Sequence, residues 1–387
     1  MDVNLTRGLR NKPIAVAAYN SPNGCILAPS IEAKTYGIKT GMRIYEAKML
    51  CPNLIIRLPD PEKYRDVHKK FINIFKTYSP NVYPKSIDEA IIDFSGTENL
   101  NYDLSLIAKE IKERMKKEIG EWIKCSIGIS TNRLLAKLAA GIKKPDGLIV
   151  IDHTNLIDIY QKIELMDFCG INVRYERRLN ENGIFSATDF YNADLQKLQR
   201  IVFRSISGRY WYERLRGWET DDIDFETKTI GHQYALKIPT NDNKRISRLL
   251  MKLCEKMGRR MRKNGFRTKG IHVACVYKDR SYWHKASISG NNLYTTLELF
   301  KKGKAILSES PKGKLISKLS INCYELTKDK NFQRDLFDVS HDKKIKISRV
   351  MDEINNTYGE FTITPATMMG MEKEILDRIA FGRGSIR

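Results

Sequence analysis

The sequence has 387 residues, of which 42% are hydrophobic, and a formal net charge of +21. This length and composition allow about two to four packed domains and exclude a disordered chain. The excess of lysine and arginine indicates a polyanionic partner, with nucleic acid favoured over a membrane surface. No apolar run approaches the roughly 18 residues of a transmembrane helix. Seven scattered cysteines and six scattered histidines argue against a zinc site or a disulfide framework and fit a reducing cytoplasm.

The first part of the chain predicts a strand and two helices. Pro13 to Tyr19 is typical of a strand that follows the end of a helix. Ile31 to Tyr36 predicts a short helix that ends at Gly37. Residues 62–77 have apolar side chains at helical spacing, which indicates a helix that packs on a core.

Asp88 and Glu89 are adjacent acids inside the apolar run from Val82 to Phe94. Alternation and β-branching predict a strand, a tight turn and a second strand, with the two acids at the tip. Carboxylates this close repel each other, and a divalent cation between them lowers that repulsion. A pair of acids that holds Mg²⁺ is what metal-assisted phosphoryl transfer needs. The alternative is two solvated acids in an ordinary turn.

The segment after the acids alternates between helix and strand. Leu104–Ile119 has one apolar face and predicts a helix. Ile123–Ile129 predicts a strand, Asn132–Gly141 a helix, and Lys143–Gly147 a turn. This strand–helix–strand order, together with the acidic hairpin, fits a ferredoxin-like domain.

Residues 155–220 are predicted to be helical. Phe168-Cys169-Gly170-Ile171 and Asn182-Gly183-Ile184 resemble a helix-hairpin-helix unit, in which a glycine turn presents backbone N–H groups to a DNA phosphate. The alternative is an ordinary helix-turn-helix packing unit. The polar, acidic residues 219–230 predict a linker.

The positive charge is concentrated near the C-terminal half. Between Lys237 and Lys318 there are 21 Lys or Arg and 5 Asp or Glu, a net charge of +16. This charge surrounds a predicted helix, Arg245–Asn264, and two predicted strands, Gly270–Lys278 and Lys314–Glu325. The charge favours contact with DNA phosphates over a merely solvated helix face. The candidate DNA-binding residues of the helix are Arg245, Arg248, Arg259 and Arg260.

Three sequence blocks occur together in the chain. They are Pro29–Lys34 with Tyr36–Ile38; Tyr78–Pro80 with Ser86–Asp93; and Cys125–Ser130, Asn132–Ala139 and Lys143–Leu148. In this order they resemble the Y-family (translesion) DNA polymerases, and the resemblance runs from residue 3 to the C-terminus. It implies a multidomain α+β fold of the right-hand type: a ferredoxin-like palm (1–20 and 78–150), small fingers (21–77), a helical thumb (151–218), a linker (219–230), an α/β little finger (231–325) and a C-terminal tail (326–387).

The resemblance implies a template-directed DNA polymerase that acts in DNA repair and damage tolerance. Mg²⁺ would be held by Asp88 and Glu89, and the partners would be primer–template DNA and deoxynucleoside triphosphates. Lys144 would contact the triphosphate. The family's fingers helix carries a tyrosine and an arginine that bind the triphosphate, and Ile31 and Lys34 occupy these positions here. Lysine offers phosphate a point charge without the bidentate fork of arginine.

The same resemblance implies further contacts with macromolecules. The glycine turn at Gly170 and the arginines of the basic helix would contact DNA, and we expect a cytoplasmic monomer without a membrane association. The tail is predicted to have less order. It contains Gln333-Arg334-Asp335-Leu336-Phe337, which resembles the peptide by which bacterial polymerases hold the sliding clamp, with Gln333, Leu336 and Phe337 as anchors. The alternative is a loop whose apolar side chains pack on the body.

One element of the family pattern has no match in the sequence. The family begins with a strand that carries Asp-x-Asp and aromatic residues that exclude ribonucleotides. We therefore expect the palm sheet to lack a strand, and we expect the 387 residues to bind DNA with little or no nucleotide incorporation. A non-catalytic remnant that binds DNA and the clamp is the alternative to an enzyme. A general chromatin or RNA-binding protein fits the charge but does not explain the acidic hairpin.

Overall fold

The structure, a computed structural model, describes residues 7–220, 227–328, 339–372, 374 and 375. The described residues fall into two compact units, the first ending at residue 220 and the second beginning at residue 227. In these ranges no helix combines the length and the apolar character that crossing a membrane requires.

A three-stranded sheet organises the start of the first unit. Its central strand β1 (Ile14–Ala17) pairs antiparallel with β2 (Ile26–Pro29) and parallel with β3 (Ile55–Arg57). Helices α1 (Ile31–Thr35) and α2 (Ile44–Leu50) share a small apolar core with this sheet. The first strand, which the sequence assigned to the palm, is thus built into the sheet of the predicted fingers.

The acidic hairpin packs against two amphipathic helices. Strands β4 (Asn81–Ser86) and β5 (Glu89–Asp93) form a two-stranded antiparallel pair, as predicted. Helices α3 (Pro61–Lys76) and α4 (Leu104–Glu118) share an apolar core with the hairpin. Because each helix buries one face in this core, apolar side chains recur at helical spacing in both segments.

A parallel strand pair with a crossover helix follows. Strands β6 (Ile127–Ser130) and β7 (Leu148–Ile151) are joined by α5 (Arg133–Ile142). Glycine is required at Gly128, because a Cβ there would lie 2.0 Å from the carbonyl oxygen of Ala136 on α5. In the described part of the chain, the palm strands form two separate pairs, and no described strand joins them. The sequence predicted a ferredoxin-like palm sheet that lacks one strand.

Residues 156–215 are largely helical, as predicted. Phe168, Phe190 and Trp211 pack in one aromatic cluster with ring centroids 5.4–6.2 Å apart. Leu138 of α5 belongs to the same core, so the predicted thumb is packed on the palm. The segments are α6 (Leu156–Tyr160), α7 (Val173–Asn180), α8 (Ala187–Asn192), a π-helical turn (Lys197–Val202) and α9 (Ser207–Leu215).

The second unit is a four-stranded antiparallel sheet with an apolar core between it and two helices. Its elements are β8 (Ile230–Thr240), α10 (Asn243–Lys263), β9 (Phe266–Tyr277), β10 (Tyr282–Leu293), α11 (Thr296–Leu307) and β11 (Ile316–Lys328). The strand order is β10-β9-β11-β8. The sequence predicted the basic helix α10 and the strands β9 and β11, but not β8 and β10.

The described part of the tail is ordered, contrary to the sequence expectation. Helix α12 spans Val339–Tyr358. Beyond it, Met368 and Met371 are buried in the core of the second unit. The physical reason is a set of contacts with α10 that local patterns do not reveal. The ammonium of the buried Lys252, for example, donates to the backbone oxygen of Met371 at 2.7 Å.

Candidate active site

The acidic turn has two residues, Ile87 and Asp88, between the facing residues Ser86 and Glu89. Ile87 is only 3% exposed, whereas Asp88 is exposed and Glu89 is half-buried. The Ser86 hydroxyl donates to Oδ1 of Asp88 at 2.5 Å. The turn therefore uses an apolar side chain as its anchor and presents two adjacent carboxylates beside it.

Glu89 forms an ion pair with Lys137 of α5. The two side chains are 38% and 40% exposed, so water screens the attraction. No cationic side chain among the described residues pairs with Asp88 in the same way. The ammonium of Lys137 thus provides the positive charge beside the Glu89 carboxylate.

The described residues add no third side chain to this pair. Asp93 is at the far end of β5, opposite Asn81, and its Oδ1 accepts a hydrogen bond from the Ser95 N–H. At about 3.4 Å per residue, Asp93 is about 14 Å from Glu89 along the strand. Across the described ranges, no three or more His, Cys, Asp or Glu side chains are grouped so as to hold a metal ion.

Helix α5, which carries Lys137, is fixed at its first turn. The Asn132 side chain accepts from the Leu135 N–H at 2.8 Å and so caps the helix. Its amide group also donates to the backbone oxygens of Arg214 and Trp218 at 2.8 and 3.0 Å. Because Asn132 is 4% exposed, these bonds are protected from water, and they join the site to the end of the predicted thumb.

The two predicted nucleotide-binding lysines, Lys34 and Lys144, lie on separate elements, and both are exposed. Lys34 is on α1, whose start is capped by Ser30 through a 3.2 Å bond from the Ala33 N–H. Gly37 follows this helix with φ +80°, as the sequence predicted. Within the described structure, neither lysine side chain forms a hydrogen bond or an ion pair, so both ammonium groups are available to a phosphate.

The loop that carries Lys144 is held by its neighbours. The Lys112 ammonium donates to the backbone oxygen of Asp146 at 2.5 Å and forms an ion pair with its carboxylate at 3.1 Å. The same carboxylate accepts from the Cys125 N–H at 3.3 Å. The position of this loop is therefore set by helix α4 and by the segment that leads into β6.

Two of the four predicted DNA-binding arginines are paired with acids of the tail. Arg245 lies 3.1 Å from Glu374, and Arg259 lies 3.8 Å from both Asp352 and Glu360. The Arg259 side chain is also only 14% exposed. These contacts direct both guanidinium groups toward the tail, which the sequence did not predict.

The other predicted DNA contacts are placed differently. Arg248 is exposed and Arg260 half-buried, and no described carboxylate forms an ion pair with either. Gly170 has φ +109°, a backbone conformation that residues other than glycine rarely adopt, so the turn favours glycine. The predicted clamp anchors Gln333, Leu336 and Phe337 lie outside the described residues.

Comparison with known proteins identifies the family. The impB/mucB/samB family model matches residues 2–141, and the model of that family's C-terminal domain matches residues 227–336. A DNA polymerase IV of Pelotomaculum thermopropionicum is 30% identical over 368 residues, which cover 93% of this chain and 90% of that protein. The chain belongs to the Y-family DNA polymerases.

A second relative supports this membership, a DNA polymerase IV of Staphylococcus aureus that is 33% identical over 259 residues. That alignment covers 66% of this Y-family chain and 71% of the relative.

Solved structures share the Y-family fold. A chimaeric Y-family DNA polymerase built from Dbh and Dpo4 matches with a TM-score of 0.74 at 22% identity, over 84% of this chain and 95% of that one. An insertion ternary complex of Dbh DNA polymerase matches with a TM-score of 0.58 at 22% identity, over 84% and 94%. The predicted multidomain α+β polymerase fold is confirmed.

Sequence reasoning on this Y-family chain missed Lys137 as a member of the site. Lys137 lies in the block Asn132–Ala139 that carried part of the resemblance, but it is 48 residues from Glu89. Its place as the fifth residue of α5 was the available signal, since α5 follows β6, whose Ile127 packs on the same core as the acidic hairpin.

Proposed function

We propose that this chain is a template-directed DNA polymerase that copies past damaged bases in DNA repair and damage tolerance. The observation that carries the proposal is the acidic turn: Asp88 and Glu89 are adjacent at the tip of a β-hairpin in a Y-family chain. Adjacent carboxylates of this kind suit two-metal nucleotidyl transfer.

Asp88 and Glu89 are the residues that would hold Mg²⁺. The donor set fits, because Mg²⁺ is commonly bound by one or two carboxylates together with substrate phosphates. The ion pair with Lys137 shows that Glu89 already accepts a cation at this position. When bound, the cations activate the primer hydroxyl and stabilise charge on the transferring phosphoryl group.

The remaining residues of the proposed site bind the substrates. Lys34 and Lys144 have free, exposed ammonium groups and would neutralise the triphosphate of the incoming nucleotide as point charges. Primer–template DNA would be held through its phosphates by Gly170 at the thumb turn and by the exposed cations of the second unit. Because Arg245 and Arg259 are paired with tail acids, Arg248 and Arg260 are the better candidates on α10.

We also propose that the segment with Gln333, Leu336 and Phe337 binds a sliding clamp. The support is its sequence pattern alone. In such a peptide the two apolar side chains would fill a pocket and contribute most of the affinity.

The experiment that tests the polymerase assignment compares Asp88→Asn and Glu89→Gln with wild type in Mg²⁺-dependent primer extension. Both variants should lose nucleotide incorporation by orders of magnitude, because the carboxylates act mainly in the transition state. DNA binding, measured by fluorescence anisotropy, should stay the same. Asp93→Asn, at the far end of the same strand, is the matched control and should extend primers normally. Wild-type extension by Asp88→Asn and Glu89→Gln would contradict the assignment.

A non-catalytic DNA-binding role is the second candidate function. It is favoured by the absence, within the described residues, of a third metal-ligating side chain beside the pair. Primer extension by the purified chain in Mg²⁺, measured beside DNA binding by fluorescence anisotropy, separates the two. Tight DNA binding without extension would favour the second candidate.

A further inference from the structure

A buried histidine lies directly beneath the acidic turn. His68 of α3 is 6% exposed, and its Nδ1 is 3.1 Å from the backbone oxygen of Ile87. The imidazole also packs edge-on against Phe71, with ring centroids 4.8 Å apart at 85°. The ring is therefore held on one side by an aromatic neighbour and on the other by the turn.

The chemistry of this contact fixes which nitrogen carries the proton. A carbonyl oxygen only accepts hydrogen bonds, so Nδ1 of His68 must be the donor. Burial lowers the pKa of His68, although the Ile87 carbonyl and the charge of Asp88 act in the opposite direction. At neutral pH the ring is thus a neutral imidazole with its hydrogen on Nδ1.

The turn needs this support because its own sequence does not specify its shape. Two-residue hairpin turns usually have positive φ angles and contain glycine or asparagine. Neither Ile87 nor Asp88 has a positive φ. The backbone oxygen of Ile87 points into a buried region, where water cannot replace a lost partner.

We propose that His68 is a positioning residue of the active site. By donating from Nδ1 to the Ile87 carbonyl, it fixes the peptide group that joins Ile87 to Asp88, and so it sets the direction of the two neighbouring carboxylates. It acts on the cation site in the way that hydrogen-bond partners behind a metal ligand orient that ligand. This inference rests on the proposed polymerase function, which assigns Asp88 and Glu89 to the cations.

Three variants at this position separate the hydrogen bond from packing. His68→Asn keeps an N–H donor close to the place of Nδ1. His68→Gln keeps polarity but moves the donor one bond further, toward the place of the other ring nitrogen. His68→Leu keeps volume without a donor. Each is compared with wild type for melting temperature, for amide hydrogen exchange in a peptide spanning 86–89, and for the Mg²⁺ concentration that gives half-maximal primer extension.

We expect the variants to differ in hydrogen exchange at the turn and in Mg²⁺ requirement. His68→Asn should resemble wild type in all three measurements. His68→Gln and His68→Leu should exchange faster at the turn and need about ten- to a hundredfold more Mg²⁺, the usual cost of losing such a partner. Equal Mg²⁺ requirement and equal exchange at the turn in all variants would overturn the proposal. If His68→Leu folds poorly, the comparison of the Asn and Gln variants decides.

The failure of the proposed function gives a different result. Asp88→Asn is run in parallel, and undiminished extension by that variant would reject the metal assignment whatever His68 does. Hydrogen exchange at the turn needs no catalysis. It therefore still shows whether His68 holds the Ile87 peptide.

Discussion

The ion pair between Arg262 and Asp352 makes a strong prediction about the tail. Nε and Nη2 of Arg262 lie 2.6 and 2.9 Å from the two carboxylate oxygens, a bidentate contact. The side chains are only 4% and 16% exposed. Burial opposes the charge on Arg262, but the hydrogen bonds that Arg262 donates to the Asp352 carboxylate prevail and raise the pKa of Arg262. The perturbation is Asp352→Asn, which removes the charge and keeps the shape.

The structure sets the size of the effect. Removing one partner of a fully buried ion pair costs about 3–5 kcal/mol. The cost here should be smaller, because asparagine can keep one hydrogen bond and the buried carboxylate of Glu255 also favours the charge on Arg262. We expect a loss of about 2–3 kcal/mol. For a unit of this size, that corresponds to a melting temperature lower by about 5–10 °C.

The assay is thermal unfolding of the full chain, together with amide hydrogen exchange in peptides from α10 and α12. Glu353→Gln is the matched control, since Glu353 is an exposed acid on the same helix. The Asp352→Asn protein should melt earlier and exchange faster in both helices, and the control should do neither. Equal melting temperatures for Asp352→Asn and wild type would show that the tail does not stabilise the second unit, and the reasoning would be wrong.

Three further predictions concern function. Lys137→Met should lower the Mg²⁺ concentration for half-maximal primer extension by up to about fivefold, because the ammonium competes for Glu89 with the strength of an exposed ion pair; a higher requirement would mean that Lys137 supports the cation site. Affinity for primer–template DNA should fall by about a hundred- to a thousandfold between roughly 50 and 200 mM salt if about four to six phosphates are contacted. A flat salt response in DNA-binding titrations would contradict phosphate contact by the second unit. Changing Leu336 and Phe337 to Ala should abolish co-elution with a sliding clamp and leave basal extension unchanged. Unchanged co-elution would mean that this segment does not bind the clamp.

The parts of the fold that sequence predicted are those with a strong local signal. Helix α3 has an apolar stripe, and the acidic hairpin has alternating β-branched strands around a turn. Strand β10 was missed because residues such as Tyr282, His284 and Lys285 are all exposed, which leaves no buried row to produce an alternating pattern. The pairing of β1 with β2 and β3 was missed because strand partners are chosen by tertiary packing.

The candidate site likewise has residues that a local sequence motif predicts and contacts that no local motif predicts. Asp88 and Glu89 are neighbours in sequence, so a local motif was enough to find them. The contact of Glu89 with Lys137 spans 48 residues, and that of Arg262 with Asp352 spans 90. Composition had shown only that cations and acids were both present. Which of them meet depends on how helices pack, and local sequence patterns do not reveal that packing.

The packing of the tail on α10 changes how the protein can be shortened. The sequence suggested a domain boundary near residue 325, followed by a tail with less order that contains the clamp-like peptide. A chain cut there would also lose Asp352, Glu360, Glu374, Met368 and Met371. It would expose the part of the apolar core that the two methionines cover and the cations that these acids neutralise. Such a fragment should gain non-specific affinity for nucleic acids while it loses solubility. A shortened protein that bound DNA more tightly could then be mistaken for one released from inhibition, so the role of the peptide is better tested by point substitution.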